Sequence, residues 1–258
     1  MRAKIKGRLR KYDSTGSHSF EEQLENCYYE GTVNKSLTSF VAISTCNGLR
    51  GIINVGNGIS YGIWPLEGGE QNRGRRPHLL YVTRWSREAV CGSNVPKSDH
   101  SLSKIQRKRD VTQQIKYFEL AVIADHSYIT DFNFSEKKAV DFLLEAINIA
   151  DSVFFFNFNI RLSVVYSELW FDSQRVSADK DIERTLSEAV AYVTDPLYQI
   201  KKDVTVFLTR ERFTNNETGS GTFGDACSSR ATAIVTSFYV LTRFAFLIDV
   251  QQSFIKML

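Results

Sequence analysis

The 258-residue sequence has few histidines: His18, His78, His100 and His126, and no two of them are four residues apart. Two histidines one helical turn apart on one face are a common way for a helix to chelate a catalytic zinc ion. The sequence therefore holds no helical histidine pair of that kind. No Gly-x-Gly-x-x-Gly or Gly-x-x-x-x-Gly-Lys-Ser/Thr element follows an apolar run, so nucleotide binding has no support.

The sequence also lacks a strong charge bias, because 32 basic and 29 acidic side chains leave a net charge of +3. The basic residues are not gathered into an aromatic-interleaved face, which argues against a nucleic-acid partner. No apolar run follows the charged start Met1–Arg8, so the printed sequence shows no secretory signal peptide. We expect either a cytosolic protein or a longer protein whose true N-terminus precedes Met1.

A basic run, Lys104–Arg109, separates two unlike halves of the chain. Residues before it are irregular and Gly-rich and include three of the four cysteines: Cys27, Cys46 and Cys91. Residues from Lys116 onward alternate between strand and helix patterns. Exposed linkers are preferred sites of proteolysis, so the run is either a charged loop or a processing site. The unlike flanks favour a processing site.

Before the basic run, short β-branched and apolar segments predict a small β-meander. Ser39–Cys46 indicates a strand, and the following Asn47-Gly48 pair is a strong hairpin signal. Further short strands are predicted at Ile52–Ile53 and Tyr61–Leu66. The alternating basic residues within 2–11 are more typical of a solvated or frayed strand than of a localisation signal.

After the basic run, the order strand–helix–strand–helix–strand predicts a mostly parallel sheet covered by helices. The apolar run Lys116–Asp125 predicts a strand buried on both faces. Ser135 is a natural N-cap for the first helix, and the second helix is expected from about Ala178. The other two strands are predicted at Asn159–Trp170 and Asp203–Thr209.

Four short motifs precede the basic run in a fixed order: Cys27–Gly31, Ser44–Gly51, Tyr61–Leu66 and His78–Tyr81. Together they resemble the C-terminal part of the pro-domain of reprolysin/ADAM-type zinc metalloproteases, although Asn26 stands where the family usually carries histidine. The resemblance implies a secreted or cell-surface protein. It also implies a disulfide between Cys27 and Cys46, which an oxidising export route would preserve.

Three segments after the basic run resemble the opening of the reprolysin catalytic domain: Lys116–Asp125, Asn159–Trp170 and Gly219–Ser229. The resemblance implies an α/β fold, with a small β-rich pro-domain portion followed by a truncated metzincin-like α/β/α sandwich with a mostly parallel sheet. The expected segments are a pro-domain part at 1–110, a peptidase-type part at 111–235 and a divergent tail at 236–258.

The same resemblance implies metal-binding roles for three residues. Glu119 and Asp203 occupy the positions of two calcium ligands, since calcium prefers hard carboxylate oxygens; ordinary charges at strand ends are the alternative. Cys91 resembles a cysteine switch, in which a pro-segment thiolate occupies the open position of a catalytic zinc. Glu88–Val90 replace the proline and basic residue that usually precede this cysteine, and an unpaired structural or surface cysteine is the alternative. Cys227 would pair with a later cysteine that the sequence lacks.

The basic run resembles the family's proprotein-convertase site, with cleavage after the last of Arg107, Lys108 and Arg109. Gln106 stands where an arginine usually lies four residues before the cut, which implies less efficient cleavage. Three Asn-x-Ser/Thr sequons, which are common by chance, mark candidate N-glycosylation sites at Asn34, Asn133 and Asn216.

The resemblance implies a zinc metalloendopeptidase that cleaves protein or peptide substrates in its full-length form. The family's His-Glu-x-x-His-x-x-Gly-x-x-His motif binds zinc and activates water, and the printed sequence lacks it. We therefore expect an inactive fragment of such an enzyme. The alternative is a non-catalytic inhibitor or binding module that contains a pro-domain.

The apolar stretch Ala231–Val250 is open to two interpretations. A membrane anchor would place Arg243 inside the span, at a cost of about 2.5–3.5 kcal/mol. We favour translation of a retained intron or a wrong splice for the tail.

Overall fold

A computed structural model of the chain describes residues 5–20, 27–56, 58–66, 76–83, 90–91, 114–177, 179–222, 225 and 227–236. In chain order the strands are β1 (Ile5–Asp13), β2 (Gly16–Phe20), β3 (Tyr28–Gly31), β4 (Phe40–Ser44), β5 (Arg50–Gly56), β6 (Ile59–Pro65), β7 (His78–Thr83), β8 (Val90–Cys91), β9 (Lys116–Ala124), β10 (Ile160–Trp170), β11 (Val204–Thr209), β12 (Glu217–Gly221) and β13 (Thr232–Thr236). The α-helices are α1 (His126–Asp131), α2 (Glu136–Phe158) and α3 (Ile182–Thr194).

The five-stranded sheet is the predicted meander, since β3 to β7 follow one another in chain order and each neighbouring pair is antiparallel. The Asn47-Gly48 turn joins β4 to β5, and Gly48 has a φ of +92°, which glycine adopts without a Cβ penalty. A disulfide links Cys27, just before β3, to Cys46, just after β4. This is the pairing that the family resemblance implies.

The eight-stranded sheet has the order β2-β1-β10-β9-β11-β13-β12-β8. Its pairs are parallel except β1–β2 and β12–β13. The expected mostly parallel sheet is therefore confirmed. Strand β9 lies inside it, and Leu120–Ala124 are each 0% exposed, as expected for a strand covered on both faces.

Two helices cover the two faces of this sheet. Helix α2 lies between the two sheets and shares a core with both, while α3 packs on the opposite face. Ser135 precedes α2 as expected, but its side chain makes no capping hydrogen bond. Helix α3 begins at Ile182, because Asp181 accepts the Glu183 N–H and caps the helix there. Ala178, where this helix was expected to begin, lies outside the described residues.

The N-terminal basic segment forms a strand, as predicted, but the expectation that this strand is solvated or frayed was wrong. Strand β1 lies within the eight-stranded sheet, between β2 and β10. Leu9 is 8% exposed and belongs to the core beneath α2. Of the described basic side chains of β1, Arg10 donates to Tyr12 and Lys11 forms an ion pair with Glu136. Long basic side chains can reach such partners while their apolar stems pack against the protein.

Candidate functional site: the two edges of the peptidase-type sheet

The candidate site is formed where two parts of the chain meet. The peptidase-type unit, residues 114–236, contributes five adjacent strands in the order β10-β9-β11-β13-β12. Its outer strands are β10 and β12, and each of them pairs with a strand from residues 5–91, which we call the pro-segment after the family resemblance. Strand β1 lies parallel to β10, and β8 lies parallel to β12. The pro-segment therefore covers both edges of the five strands.

Acidic side chains flank the β12 edge. Val90 is opposite Glu217, and Cys91 is opposite Gly219. The Ser220 hydroxyl donates to Glu183 Oε1 at 2.7 Å, which ties β12 to the start of α3. Burial raises the pKa of Glu217, and the negative charges of Glu183 and Asp181 raise it further. An edge strand with backbone groups and nearby carboxylates is suited to binding an extended peptide with basic side chains.

Cys91 reaches this edge through its backbone, which the structure describes in strand β8. Its side chain is outside the described part, so its role as a zinc ligand stays a prediction. Arg107, Lys108 and Arg109 also lie outside the described residues, and the convertase site is untested.

The described histidines do not assemble a zinc site. His78 Nε2 accepts the Leu49 N–H at 2.9 Å, and His126 Nδ1 lies 3.3 Å from the Trp170 carbonyl oxygen. Within the described ranges, no three His, Cys, Asp or Glu side chains come together as a metal-binding group. These residues do not fit a catalytic zinc, and no hydrolytic step is assigned to them.

The structure brings the two predicted calcium ligands together. The Asp203 carboxylate accepts the Glu119 N–H at 2.8 Å, and the Asp203 N–H donates to the Glu119 carbonyl at 2.8 Å. These two hydrogen bonds connect the start of β9 to the segment just before β11. Calcium takes six to eight oxygen ligands, and the described part of the chain provides no third protein ligand of the searched types beside this pair. The calcium role stays a prediction.

Cys227 also lies next to Asp203, and its N–H donates to the Asp203 carbonyl. The thiol is exposed and not in a disulfide. Partial loss of water around the sulfur, followed by the charge of Asp203, raises the pKa of this thiol above its usual value.

Sequence reasoning missed the group at the β10 edge, which centres on Glu168. This side chain is 0% exposed and accepts hydrogen bonds from Tyr166 Oη at 3.0 Å, from Trp170 Nε1 at 2.9 Å and from Tyr192 Oη. Burial raises the pKa of both tyrosines, and the negative charge of Glu168 raises it further. The available signal was the Tyr166-x-Glu168-x-Trp170 alternation, which places an acid between two aromatics on one strand face.

Polar contacts also join the meander to α2 and to β10. Arg161 Nη1 contacts Glu30 Oε2 at 2.6 Å and the buried Asp151 Oδ2 at 2.8 Å. Arg50 Nη1 lies 3.4 Å from Glu145 Oε2. The Arg161–Glu30 and Arg50–Glu145 pairs hold the pro-segment against the peptidase-type unit along a third surface, and Asp151 fixes Arg161 from within that unit.

The three sequon asparagines share one local geometry. They are exposed, and their φ angles are 49°, 51° and 53° for Asn34, Asn133 and Asn216. Asparagine is among the few non-glycine residues that tolerate this left-handed conformation in turns. The geometry leaves all three side chains accessible, and glycosylation itself is untested.

A model of the reprolysin (M12B) family of zinc metalloproteases matches residues 116–253 of the chain. The chain belongs to the reprolysin family. The match runs past residue 235, where the sequence analysis ended the peptidase-type part, to residue 253. None of the described helices of this reprolysin-family chain is long and apolar enough to cross a membrane.

Two curated relatives cover the pro-segment as well. Disintegrin and metalloproteinase domain-containing protein unc-71 of Caenorhabditis elegans is 42% identical over 238 residues, which is 87% of the chain and 23% of the relative. Human disintegrin and metalloproteinase domain-containing protein 11 is 30% identical over 224 residues, 79% of the chain and 29% of the relative. The chain thus spans between a fifth and a third of the length of these relatives.

Among solved structures, metalloproteinase-II from Bacteroides fragilis is 10% identical in sequence to the chain. The alignment covers 96% of this chain and 73% of the metalloproteinase-II chain. The TM-score of 0.43 is too low to support an inference about function.

Proposed function

We propose that this chain is the latent portion of a zinc metalloendopeptidase that acts on secreted or cell-surface proteins. In this proposal the pro-segment is bound to the first half of the catalytic domain. The observation that carries it is the pairing of β8 with β12. Backbone groups of β12 that pair with β8 are not free to pair with an extended substrate. The pro-segment therefore excludes substrate from this edge.

Among the described residues, two register pairs join β8 to β12: Val90 with Glu217 and Cys91 with Gly219. We propose that a proprotein convertase cuts after Arg109, which leaves the pro-segment held by non-covalent contacts alone. In the complete enzyme, zinc would polarise the scissile carbonyl and the attacking water. The printed sequence has no His-Glu-x-x-His motif, so in this proposal the portion it encodes binds an extended segment at β12 without cleaving it.

Export is part of the same proposal. The Cys27–Cys46 disulfide fits an oxidising compartment, and the three exposed sequons are accessible to glycosylation. Expression in secretory cells, followed by enzymatic removal of N-glycans, should lower the apparent mass of the chain. A chain that carries no glycan at any sequon would contradict this part of the proposal.

A second candidate function is a non-catalytic binding module or inhibitor. The absence of His-Glu-x-x-His from the printed sequence supports this candidate directly. In that case the β12 edge would bind a partner's extended segment without cutting it.

The deciding experiment is to sequence the transcript across the Val235 codon. An in-frame continuation to His-Glu-x-x-His supports the enzyme, and its protein should cleave a peptide library and lose that activity when zinc is chelated. A transcript that encodes the chain as printed, together with detection of the short protein in cells, sinks the enzyme proposal and leaves the binding module.

A matched pair of β8 variants tests latency in an active long form. Cys91→Ala should raise cleavage before processing, because the thiol that blocks the zinc is lost. Val90→Ala serves as the control, since Val90 is the neighbouring residue of the same strand and carries no thiol. Equal basal activity of the two variants would rule out a switch role for Cys91.

A further inference from the structure

Strand β1 brings a basic and an aromatic side chain to the buried carboxylate of the β10 edge. In the parallel register, Arg10 is opposite Glu168 and Tyr12 is opposite Trp170. Both β1 side chains are on the α3 face of the sheet, where Tyr12 packs against the core that contains Tyr166 and Trp170. The neighbouring β1 residues point to the α2 face, where Leu9 is buried in the other core.

The contacts of Arg10 link it to the Glu168 group. Arg10 Nη1 donates to Tyr12 Oη at 3.3 Å, and the guanidinium carbon lies 5.9 Å from the centre of the Tyr166 ring. The hydrogen bond to Tyr12 raises the pKa of Arg10, and the charge of Glu168 contributes in the same direction. Tyr12 is itself covered by Arg175, whose guanidinium lies 3.9 Å from its ring centre. Arg10 and Tyr12 thus complete the site from the pro-segment side.

The charge balance explains why an arginine is needed. The donors that bind Glu168 directly are neutral groups: two phenols and an indole. They satisfy the oxygens but do not cancel the negative charge. A buried charge without a countercharge costs several kcal/mol, and the opposing strand provides a countercharge through Arg10.

We propose that the β10 edge is a second strand-binding site of the peptidase-type unit. It takes an extended segment with an arginine and a tyrosine two residues apart, and β1 of this chain's own pro-segment is its occupant. The site lies at the opposite end of the five strands from β12 and uses no metal ligand. It therefore goes beyond the proposed function and holds for the enzyme and for the binding module alike.

Contacts on both faces of β1 fix its register against β10. A slip by one residue would turn Arg10 towards α2 and Leu9 towards α3, since alternate side chains point to opposite faces. On the α2 face, Lys11 Nζ forms an ion pair with Glu136 Oε2 at 2.9 Å. Backbone pairing provides the general affinity of the site, and the Arg10–Glu168 relation selects the segment and its register.

The test uses the full chain with a specific protease sequence inserted within residues 21–26. After cleavage at that sequence, a fluorescent synthetic peptide of residues 1–20 is exchanged onto the nicked protein, and its dissociation constant is measured by anisotropy. Arg10→Ala in the peptide should weaken binding at least about tenfold, because it leaves the Glu168 charge without its partner. Lys11→Ala is the matched control on the same strand and should weaken binding by no more than about fivefold, as for a surface ion pair.

A double-mutant cycle shows whether Arg10 acts through Glu168. In a nicked Glu168→Gln protein, the Arg10→Ala effect should fall to about threefold or less, because the charge it balances is gone. The Lys11→Ala effect should be the same in both backgrounds. Equal Arg10→Ala effects in both proteins would overturn the proposal, as would exchange that does not depend on Arg10.

The proposal stays testable if Glu168→Gln fails to fold. The Arg10→Lys peptide keeps the charge and should recover most of the affinity lost in Arg10→Ala, whereas Arg10→Met keeps the length without the charge and should not. Equal binding of the Lys and Met peptides would reject a site that recognises charge.

Discussion

The two edges of the peptidase-type unit are covered in the same way, but the described residues pair to different extents. At the β10 edge, the nine-residue strand β1 makes six register pairs. At the β12 edge, the described residues of β8, Val90 and Cys91, make two register pairs. Both added strands run parallel to their partners, so the described difference lies in the number of pairs and in the side chains. Long pairing with buried side chains suits a permanent anchor, whereas two pairs suit a contact that opens first.

The acidic side chains of the two edges also differ in burial. Glu168 at the β10 edge is 0% exposed and has three neutral donors. At the β12 edge, Glu183 is exposed and Glu217 is half-buried. Removing one partner from a fully buried group is costly, whereas an exposed carboxylate returns to water. We therefore expect substitutions at the β10 edge to affect stability far more than substitutions at the β12 edge.

The largest expected effect comes from Glu168→Ala. It leaves the Tyr166, Trp170 and Tyr192 donors without their acceptor, and we expect a loss of about 3–5 kcal/mol in the free energy of unfolding. Urea titration of the full chain measures this loss. Glu183→Ala at the other edge is the comparison and should cost about 1–2 kcal/mol, because it leaves one buried hydroxyl, that of Ser220, without its acceptor. Equal losses of unfolding free energy in the two variants would contradict the expectation that the β10 edge contributes more to stability than the β12 edge.

Proline substitutions in β1 and in β8 compare how much each strand pairing contributes to stability. Leu9→Pro removes a ladder hydrogen bond and a buried side chain, so we expect a loss of about 3 kcal/mol or more. Val90→Pro affects a strand of two residues and should cost less than about 1 kcal/mol, near the value of one hydrogen bond. Hydrogen exchange should show wider loss of protection along β10 for Leu9→Pro than along β12 for Val90→Pro. A larger cost for Val90→Pro would identify β8 as the anchor.

The tyrosines around Glu168 predict how stability depends on pH. A phenol in the unfolded chain ionises near pH 10, whereas burial and the charge of Glu168 raise the pKa of Tyr166 and Tyr192 in the fold. The unfolded state therefore loses these protons first. Stability from the two phenols should be full below about pH 10 and should fall as pH rises above it, by up to about 1.4 kcal/mol per pH unit for each phenol.

Urea titrations between about pH 8 and pH 11 would measure this slope. Tyr192→Phe should reduce it, although the variant is less stable overall because it removes a donor from Glu168. Tyr117→Phe is the control, because Tyr117 is 66% exposed and its loss should leave the slope unchanged. An unchanged slope in Tyr192→Phe would contradict the assignment.

The peptidase-type half was predictable because its signals are local. The apolar run before Asp125 predicted a strand covered on both faces, and β9 ends at Ala124 as that pattern requires. The apolar positions after Ser135 recur with helical spacing, and α2 begins at Glu136. In such segments burial follows directly from periodicity, so a single sequence suffices.

The β10 edge was not predictable from the same signals. Arg10 and Glu168 are brought together by strand pairing across the chain, and nothing near Arg10 specifies its partner. The basic alternation of β1 looks like a solvated strand because its long-range countercharge is invisible to a local pattern. Tyr192 lies 24 residues after Glu168 on another element, so the hydrogen-bonded group emerges only in the folded chain.

A small effect is expected at the connection of β12 to α3. The Ser220 hydroxyl is buried and donates to Glu183 Oε1 at 2.7 Å. Ser220→Ala should cost about 1 kcal/mol, the usual net value of one hydrogen bond, because the exposed Glu183 carboxylate is then solvated by water. Ser14→Ala in the exposed turn between β1 and β2 should leave the unfolding free energy unchanged. A cost of about 3 kcal/mol or more for Ser220→Ala would mean that the β12 edge is held as firmly as the β10 edge. The short β8 contact would then rest on a rigid strand, and its release would have to come from the pro-segment and not from movement of β12.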